Sequence, residues 1–262
     1  MKSDAGIEDS RTIKVNGNVT VSPTGGLDLV NCTLYLNGTP PSGHPQAGLR
    51  VGTMGSLNVT NGSRVEALLQ DYIVVDPDAH LLVEDSAVAG IGDVTHIDGS
   101  GLYSRADDTV IRRSTIEHGN NGLVLDGASG CVVEDVAFRG PQRIGLYLLG
   151  GTSGVTFRNL TFTDHMEAVR MFDCAGINLT DLTIEGAGHG IGLSNASVNV
   201  WNAWISDVAG EVVVYWASGS VQWLVDGRAA LINSTLRLNG SLDAVSRGLL
   251  RITVSEASSV IM

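Results

Sequence analysis

A short pattern, in which one polar residue separates two runs of alternating apolar residues, recurs along most of this chain of 262 residues. It occurs in TFRNLTFTD around Asn159 and returns 22 residues later in NLTDLTIEG around Asp181. From Asn58 to Asn202, its successive intervals are 27, 28, 22, 24, 22 and 21 residues. A sustained period of this length is typical of a solenoid, in which each repeat packs only on its neighbours.

A second pattern precedes the first in most repeats, and it begins with glycine in GLYSR, GLVLD, GLYLL and GIGLS. Its starting positions between Gly101 and Val212 are 21 to 23 residues apart. Each repeat therefore holds three short runs with the two-residue alternation of a β-strand, separated by Gly, Asn, Asp or Ser.

Three short strands in each repeat predict an all-β fold. The expected architecture is a single-stranded, right-handed parallel β-helix, a pectate-lyase-like solenoid of about nine to ten coils. Residues 1–12 are predicted to form an N-terminal tail. Residues 13–262 are predicted to form one β-helix domain that belongs to a larger protein.

The polar residue at the centre of the first pattern has a structural explanation. A sharp bend between two strands favours a residue that tolerates the left-handed region, and Asn and Asp do so best after Gly. In a stack of coils, such side chains can also bond one another along the column. We therefore expect corner residues at Asn31, Asn58, Asp85, Asp135, Asn159, Asp181, Asn202 and Asn233.

The repeats NNGLVLDGASGCVVEDVAFRG and RIGLYLLGGTSGVTFRNLTF resemble the right-handed parallel β-helix repeat family. That family includes NosD-like copper-associated proteins and the carbohydrate-binding and sugar-hydrolase repeat domains. The resemblance covers about residues 48–240, with a looser version over residues 13–38. It implies the fold, whereas an activity has to be argued from the residues of a particular site.

In each glycine-led run, the second and fourth positions are apolar and are expected to face the core, so the third and fifth face outward. The outward positions bring aromatic and arginine side chains to one face of a chain that has only 4 Trp, 5 Tyr and 4 Phe. Aromatic rings beside charged groups suit sugar rings, whose CH faces stack while their hydroxyls seek polar partners. The predicted substrate-binding residues are Tyr103, Arg105, Tyr147, His165, Phe172 and Trp216.

Three ionisable residues, Glu167, His189 and Glu211, each precede the leading residue of consecutive coils. On a regular stack their Cα atoms lie about 5 Å apart in turn. Adjacent carboxylate and imidazole groups are the acid–base pair that hydrolysis, elimination or epimerisation of a uronic acid needs. We predict Glu167 and His189 as this pair, Arg170 as the group that steadies a substrate carboxylate, and Glu211 as an assisting group. The alternative is a solvated turn whose polar residues coincide by chance.

No cofactor is expected, although the same carboxylate and imidazole groups are ligands that suit a divalent cation such as calcium. The chain has 16 Lys and Arg residues against 28 Asp and Glu residues, a formal charge of −12. Nucleic acid and anionic lipid both need a basic footprint, so neither is an expected partner. A polysaccharide or other glycan, and other domains of the same polypeptide, are the expected partners.

No apolar run reaches the roughly 18 residues of a membrane span, so no membrane insertion is expected. The three cysteines, Cys32, Cys131 and Cys174, are expected to be small buried hydrophobic residues.

Sequons of the form N-x-S/T are frequent, and some of them coincide with the expected corner asparagines. The others predict N-glycans, and therefore a secreted or cell-surface protein. The glycosylation candidates are Asn18, Asn37, Asn61, Asn178, Asn195 and Asn239.

Two classes of function fit these observations. The first is an extracellular or cell-surface β-helix domain that engages glycans, with a lyase, hydrolase or epimerase activity as its catalytic form. The second is a non-catalytic stalk, surface-layer or adhesin module, in which the aromatic face packs against a loop or another domain. The sequence leaves open whether the protein is an enzyme.

Overall fold

The computed structural model describes residues 5–7, 11–37, 48–67, 72–92, 101–140 and 143–215, together with the strands 219–224, 228–232, 235–237, 251–254 and 259–261. The side chains of residues 11–213 are described within these ranges. The regular structure of these residues consists of β-strands that pair in parallel across consecutive repeats. The chain therefore folds as a parallel β-helix, which confirms the predicted fold class.

One sheet contains nine strands, which follow one another in chain order along the axis of the helix. Its strands are β3 (Val19–Val21), β6 (Gly48–Val51), β9 (Tyr72–Val75), β12 (Leu102–Ser104), β14 (Asn121–Asp126), β16 (Ile144–Leu149), β18 (Glu167–Phe172), β20 (His189–Ser194) and β22 (Val213–Tyr215).

The second sheet contains sixteen strands and forms the other two sides of the coils. Its strands are β1 (Ala5–Ile7), β2 (Thr12–Val15), β4 (Gly26–Val30), β5 (Thr33–Leu36), β7 (Ser56–Thr60), β8 (Arg64–Ala67), β10 (His80–Glu84), β11 (Ala87–Ile91), β13 (Val110–Gly119), β15 (Val132–Arg139), β17 (Thr156–Thr163), β19 (Ile177–Glu185), β21 (Ala196–Ser206), β23 (Gly219–Leu224), β24 (Arg228–Ile232) and β26 (Arg251–Val254). The remaining strands, β25 (Thr235–Arg237) and β27 (Ser259–Ile261), form a separate pair.

The number of regular turns differs slightly from the nine to ten that the sequence predicts. From Gly48 to Ser206, seven consecutive turns each give one strand to the nine-stranded sheet, namely β6, β9, β12, β14, β16, β18 and β20. The strands β3, β4 and β5 form one turn before them, whereas β25 and β27 leave the two main sheets. At the other end, Ala5–Ile7 lies within the expected tail, yet it forms β1 and pairs with β4.

The predicted corners are bends at residues with left-handed backbone angles. From β13 onward, each long strand bends at a residue of this kind near its middle and continues onto the third side of the coil. This geometry confirms six of the predicted corners, which have φ between 49° and 56°, namely Asn31, Asp85, Asp135, Asn159, Asp181 and Asn202. Asn233 lies outside the described residues.

The prediction of a corner at Asn58 is wrong. Asn58 lies inside β7 and is paired with Leu82, whereas Asn61 has the left-handed φ of 55°. The segment LNVTNGSRV contains two asparagines three residues apart, and the repeat pattern alone does not distinguish them. The fourth corner, at Arg113 with φ of 45°, is occupied by a residue that rarely adopts this conformation. Its guanidinium binds the carboxylate of Asp85, one coil away, with Nε at 2.8 Å from Oδ1.

Asn and Asp side chains at equivalent positions of adjacent coils are hydrogen-bonded to each other. Asn159 Nδ2 donates to Asp135 Oδ1 at 2.7 Å, and Asn202 Nδ2 donates to Asp181 Oδ1 at 3.1 Å. An amide provides the N–H donor that an ionised carboxylate lacks, so each of these asparagines can donate to the aspartate of the coil before it. The polar residue of the repeated pattern therefore both bends the chain and links one coil to the next.

The interior is filled by apolar columns, and the predicted inward residues of the glycine-led runs are fully buried, as Leu123, Leu146 and Val169 illustrate. One inner column runs from Ile116 through Phe138 and Phe162 to Ile184 and Ile205. The rings of Phe138 and Phe162 are stacked, with centroids 4.6 Å apart and planes 6° from parallel. Burial of one such side chain contributes about 1.5–3 kcal/mol.

The three cysteines are buried and free, which confirms that Cys32, Cys131 and Cys174 act as small hydrophobic residues. Burial raises the pKa of the Cys131 thiol, and it raises the pKa of Cys174 to about 11. Both thiols are therefore protonated and unreactive at neutral pH.

Candidate functional site

The strand register places the third residues of the glycine-led runs in one outward column, as the sequence predicts. Tyr103, Val124, Tyr147, Arg170 and Gly192 are direct neighbours in successive strands, and Val214 pairs with Gly192.

The same register extends the column backwards, from Tyr103 through Val74 to Arg50. Arg50 occupies the third position of Gly48–Val51, whose sequence GLRV repeats the glycine-led pattern. The pattern was therefore present in the sequence, although Arg50 was not among the predicted site residues. We call the six residues from this arginine to Arg170 the tyrosine column, in the order Arg50, Val74, Tyr103, Val124, Tyr147 and Arg170.

The centre of the tyrosine column is closely packed. Val124 is fully buried although it faces outward between two core residues, Leu123 and Leu125. Its neighbours in the column are Tyr103 and Tyr147, both of which are half-buried. Two tyrosines separated by a small apolar residue thus form the middle of this face.

The fifth positions of the runs contribute polar and aromatic groups beside the column. The hydroxyl of Tyr103 donates to Asp126, and Arg105 Cζ lies 6.0 Å from the centroid of the Tyr103 ring. Phe172 is 45% exposed, so its ring is available on the surface. The predicted residue Trp216 lies outside the described residues.

His165 is placed apart from these outward side chains. It is only 3% exposed, and its ring meets the edge of Phe162, with centroids 5.9 Å apart and planes at 75°. Burial lowers the pKa of His165 to about 4, while the nearby backbone of Phe138 and Gly140 acts in the opposite direction. His165 is therefore a neutral side chain beside the core and does not lie on the surface of the predicted site.

The predicted acid–base residues are brought together at the first positions of β18 and β20. Glu167 is paired in register with His189, so these two side chains leave neighbouring strands at the same level. Glu167 is 3% exposed and forms an ion pair with Arg170 through Oε2. Its second oxygen, Oε1, is buried and has no hydrogen-bond partner within the described part of the chain.

The third member of this group, Glu211, contacts His189 through its backbone. Its amide N–H donates to His189 Nδ1 at 3.3 Å, so in the neutral imidazole the proton resides on Nε2. A carboxylate that can accept and an imidazole that can donate therefore lie side by side. Arg170, predicted to steady a substrate carboxylate, is instead bound to the carboxylate of Glu167 in this structure.

The sequons differ in their surroundings. Asn18, Asn61, Asn178 and Asn195 are exposed, and Asn37 is half-buried, whereas Asn239 lies outside the described residues. Asn195 uses its Nδ2 to bond Asp173, and Asn37 uses its Nδ2 to bond Asn16.

Over the described ranges, no group of three or more His, Cys, Asp and Glu side chains is arranged to hold a metal ion. The same part of the chain contains no helix of the length and apolarity that crossing a membrane requires.

The match to a known protein family agrees with this architecture. Residues 96–225 match the protein family described as "Right handed beta helix region". Among solved structures, the chain is similar to the A-module of the mannuronan C-5 epimerase AlgE6 from Azotobacter vinelandii, with 13% sequence identity and a TM-score of 0.28. That similarity covers 97% of this chain and 91% of the module. No curated protein matches the sequence.

Proposed function

We propose that this chain binds glycans along the outer face of its nine-stranded sheet. The observation that supports the proposal is the tyrosine column, in which Tyr103 and Tyr147 are two coils apart in one register. Since adjacent parallel strands are about 4.8 Å apart, the two tyrosines are separated by about 10 Å along the axis. A sugar chain that lies along the axis would meet these two aromatic side chains in turn.

The chemistry of the surrounding groups suits sugar rings. Phe172 presents an exposed ring beside the column, and aromatic faces stack on the apolar CH faces of pyranoses. The carboxylate of Asp76, directly after β9, holds Arg50 and Arg105, whose remaining N–H groups are directed donors for hydroxyl oxygens. Arg170 is held by the carboxylate of Glu167. Aromatic plates and fixed polar groups together provide the two kinds of contact that a glycan makes.

Titration with oligosaccharides, followed by calorimetry, tests this proposal. Replacement of Phe172 by Ala should weaken binding by about fivefold or more, since an aromatic contact contributes about 1 kcal/mol. Trp204 is a matched control, because it is 47% exposed on the sixteen-stranded sheet, and Trp204→Ala should leave the affinity unchanged. If no acidic or neutral oligosaccharide gives a saturable signal, a non-catalytic stalk or surface-layer module replaces this proposal.

A second candidate function, chemical modification of the bound glycan, is favoured by Glu167 and His189. A buried carboxylate with one unpartnered oxygen is costly unless something binds that oxygen. A sugar hydroxyl would donate to Oε1 of Glu167 and accept from Nε2–H of His189. In a reaction at a ring C–H, Oε1 would take the proton from carbon, while Nε2–H would donate to the substrate oxygen that gains charge or leaves. Lyase, hydrolase and epimerase reactions on sugars each need a proton-accepting and a proton-donating group.

The catalytic candidate has its own readout. A lyase releases an unsaturated sugar that absorbs in the ultraviolet, a hydrolase releases reducing ends, and an epimerase exchanges a ring proton with solvent. Glu167→Gln and His189→Ala should abolish any of these signals while binding persists. Glu134→Gln, on the other sheet, is the control that should retain them. Turnover that survives in both site variants would exclude these two residues.

We also propose that the protein is secreted or located at the cell surface and carries N-glycans. Asn61 and Asn178 are exposed sequon asparagines and are acceptors for such modification. Mass spectrometry of the protein purified from its native cells tests this directly. Unmodified peptides over both sites would contradict the proposal.

A further inference from the structure

The N-terminal end of the tyrosine column carries a second group of charged residues, centred on Asp76. Asp76 is only 7% exposed, and it accepts hydrogen bonds from two arginines of neighbouring coils. Arg50 donates from Nε and from Nη2, each at 3.0 Å, and Arg105 donates from Nη2 at 2.9 Å. One buried carboxylate thus fixes two guanidinium groups side by side.

Both guanidinium groups remain accessible from outside. The side chain of Arg50 is 58% exposed and that of Arg105 is 39% exposed, against 10% for Asp76. Each guanidinium has five N–H donors, and Asp76 uses only some of them. The two guanidinium groups therefore present fixed N–H donors to solvent beside the ring of Tyr103. Because they are already ordered, a ligand that binds them pays little side-chain entropy.

The nearby carboxylate of Asp126 does not neutralise this pair directly. Asp126 accepts a hydrogen bond from the hydroxyl of Tyr103, and it forms no ion pair with Arg105 in the part of the chain that is described. Even so, the charges of Arg50 and Arg105 are balanced in sum by those of Asp76 and Asp126. Recognition of an anion here therefore depends on directed N–H groups more than on long-range attraction, and we expect it to have a modest salt dependence.

We propose that this arginine pair is a subsite for the anionic group of the glycan, a carboxylate or a sulfate. The inference rests on the proposed function and specifies its ligand as an acidic, elongated oligosaccharide. Guanidinium groups bind planar or tetrahedral oxyanions with two parallel hydrogen bonds, which hydroxyl groups alone do not match.

The register also sets the length of that ligand. Arg50 and Arg170 stand at opposite ends of the tyrosine column, five strand spacings apart, which corresponds to about 24 Å. An acidic chain of about five or more sugars can contact both ends and both tyrosines. A trisaccharide reaches only one end and gains nothing from the other.

Calorimetric titrations of the full chain test this subsite, with octamers of a hexuronic acid, of a sulfated hexose and of neutral glucose as probes. The uronate or the sulfated octamer should bind at least about tenfold more tightly than the neutral octamer. Arg50→Gln should remove about tenfold of the acidic affinity and lower the neutral affinity by much less, since the Gln amide can still donate to a hydroxyl oxygen. Arg50→Lys should recover little, since a lysine cannot form the two parallel bonds.

Arg158→Gln is the matched control, because Arg158 is 56% exposed on the sixteen-stranded sheet. It changes the net charge by the same amount and should leave all affinities unchanged. Arg50→Gln keeps the Asp76–Arg105 pair, so it should fold, and an unchanged melting temperature verifies this.

Three outcomes overturn the subsite, and the first two of them spare the proposed function. If Phe172→Ala weakens binding of every octamer but Arg50→Gln changes none, the face binds glycans without an anionic subsite. If Arg50→Gln and Arg158→Gln weaken the acidic octamers equally, the effect is one of net charge and the subsite is excluded. Failure of all three octamers to bind removes the proposed function together with this inference. Which acidic octamer binds more tightly identifies the anionic group as carboxylate or sulfate.

Discussion

Two outer surfaces of this β-helix share one apolar interior but satisfy their charges differently. On the sixteen-stranded sheet, acids and bases alternate in a single column, which we call the charge ladder, formed by Glu84, Arg112, Glu134 and Arg158. Arg112 Nε lies 3.0 Å from Glu134 Oε1, and Arg158 Nη2 lies 3.6 Å from Glu134 Oε2. Here the column neutralises itself.

The tyrosine column on the nine-stranded sheet is arranged in another way. Its charged residues are arginines at the two ends, and their carboxylate partners, Asp76 and Glu167, come from outside the column and are buried. The middle of the column is apolar and aromatic. Comparison of the two surfaces indicates that alternation within a column favours stability, whereas arginines held from the side, next to aromatic rings, remain available to a ligand.

The largest expected effect concerns the interior that both surfaces share. Phe162→Ala should reduce the free energy of unfolding by about 3–5 kcal/mol, since it removes a stacked, fully buried ring. Phe172→Ala, which truncates an exposed ring of the same type, should change it by less than about 1 kcal/mol. Urea denaturation of both variants measures the difference. Similar losses for the two would show that the outer face is part of the packed core.

The second effect is a dependence on pH that arises at His165. Its pKa is about 4 in the folded chain, below the ordinary value of 6.5, because burial disfavours the charged imidazolium. The unfolded state therefore binds more protons than the folded state between these two pH values, and stability falls as the pH is lowered from 6.5 to 4. The loss should reach about 3 kcal/mol and be complete below pH 4.

Comparison with His165→Leu isolates this contribution, since all other titrating groups are kept. The difference in unfolding free energy between the variant and the parent chain should change across pH 6.5 to 4. His80→Gln, which replaces an exposed histidine of β10, is the control substitution. A pH-independent difference for His165→Leu would contradict the buried neutral state.

The smallest expected effect is in the charge ladder. Glu134→Gln removes the carboxylate between two arginines, and the pairs are partly exposed, so the free energy of unfolding should fall by about 1 kcal/mol or less. The Glu134→Gln variant should bind every oligosaccharide with the same affinity as the parent chain. Thermal melting and calorimetry together measure both quantities. Weakened glycan binding in this variant would remove the distinction between the two surfaces.

The sequence pattern predicts those features that depend on backbone periodicity. Inward leucines, outward tyrosines and most Asn or Asp corners follow from repeat spacing, because parallel register stacks equivalent positions. The vertical neighbours Glu167 and His189 also follow from this spacing alone.

Side-chain partners across the coils could not be derived in this way. Asp76 joins Arg50 and Arg105, and Glu167 binds Arg170 three residues further along the same strand. Which side chains pair with one another depends on their rotamers and burial, and the repeat spacing does not determine these. His165 shows the same limit, because its neighbours in the sequence include exposed Met166, whereas its own ring lies against Phe162.

Chemical footprinting of arginine tests the distinction between the two surfaces most directly. The chain is treated with phenylglyoxal in the presence and absence of saturating hexuronate octamer, and modification is measured at each arginine by mass spectrometry. We predict that the octamer protects Arg50 and Arg105 on the tyrosine column side, and leaves Arg112 and Arg158 of the charge ladder as reactive as before. Equal protection of all four, or protection confined to the ladder arginines, would contradict the account.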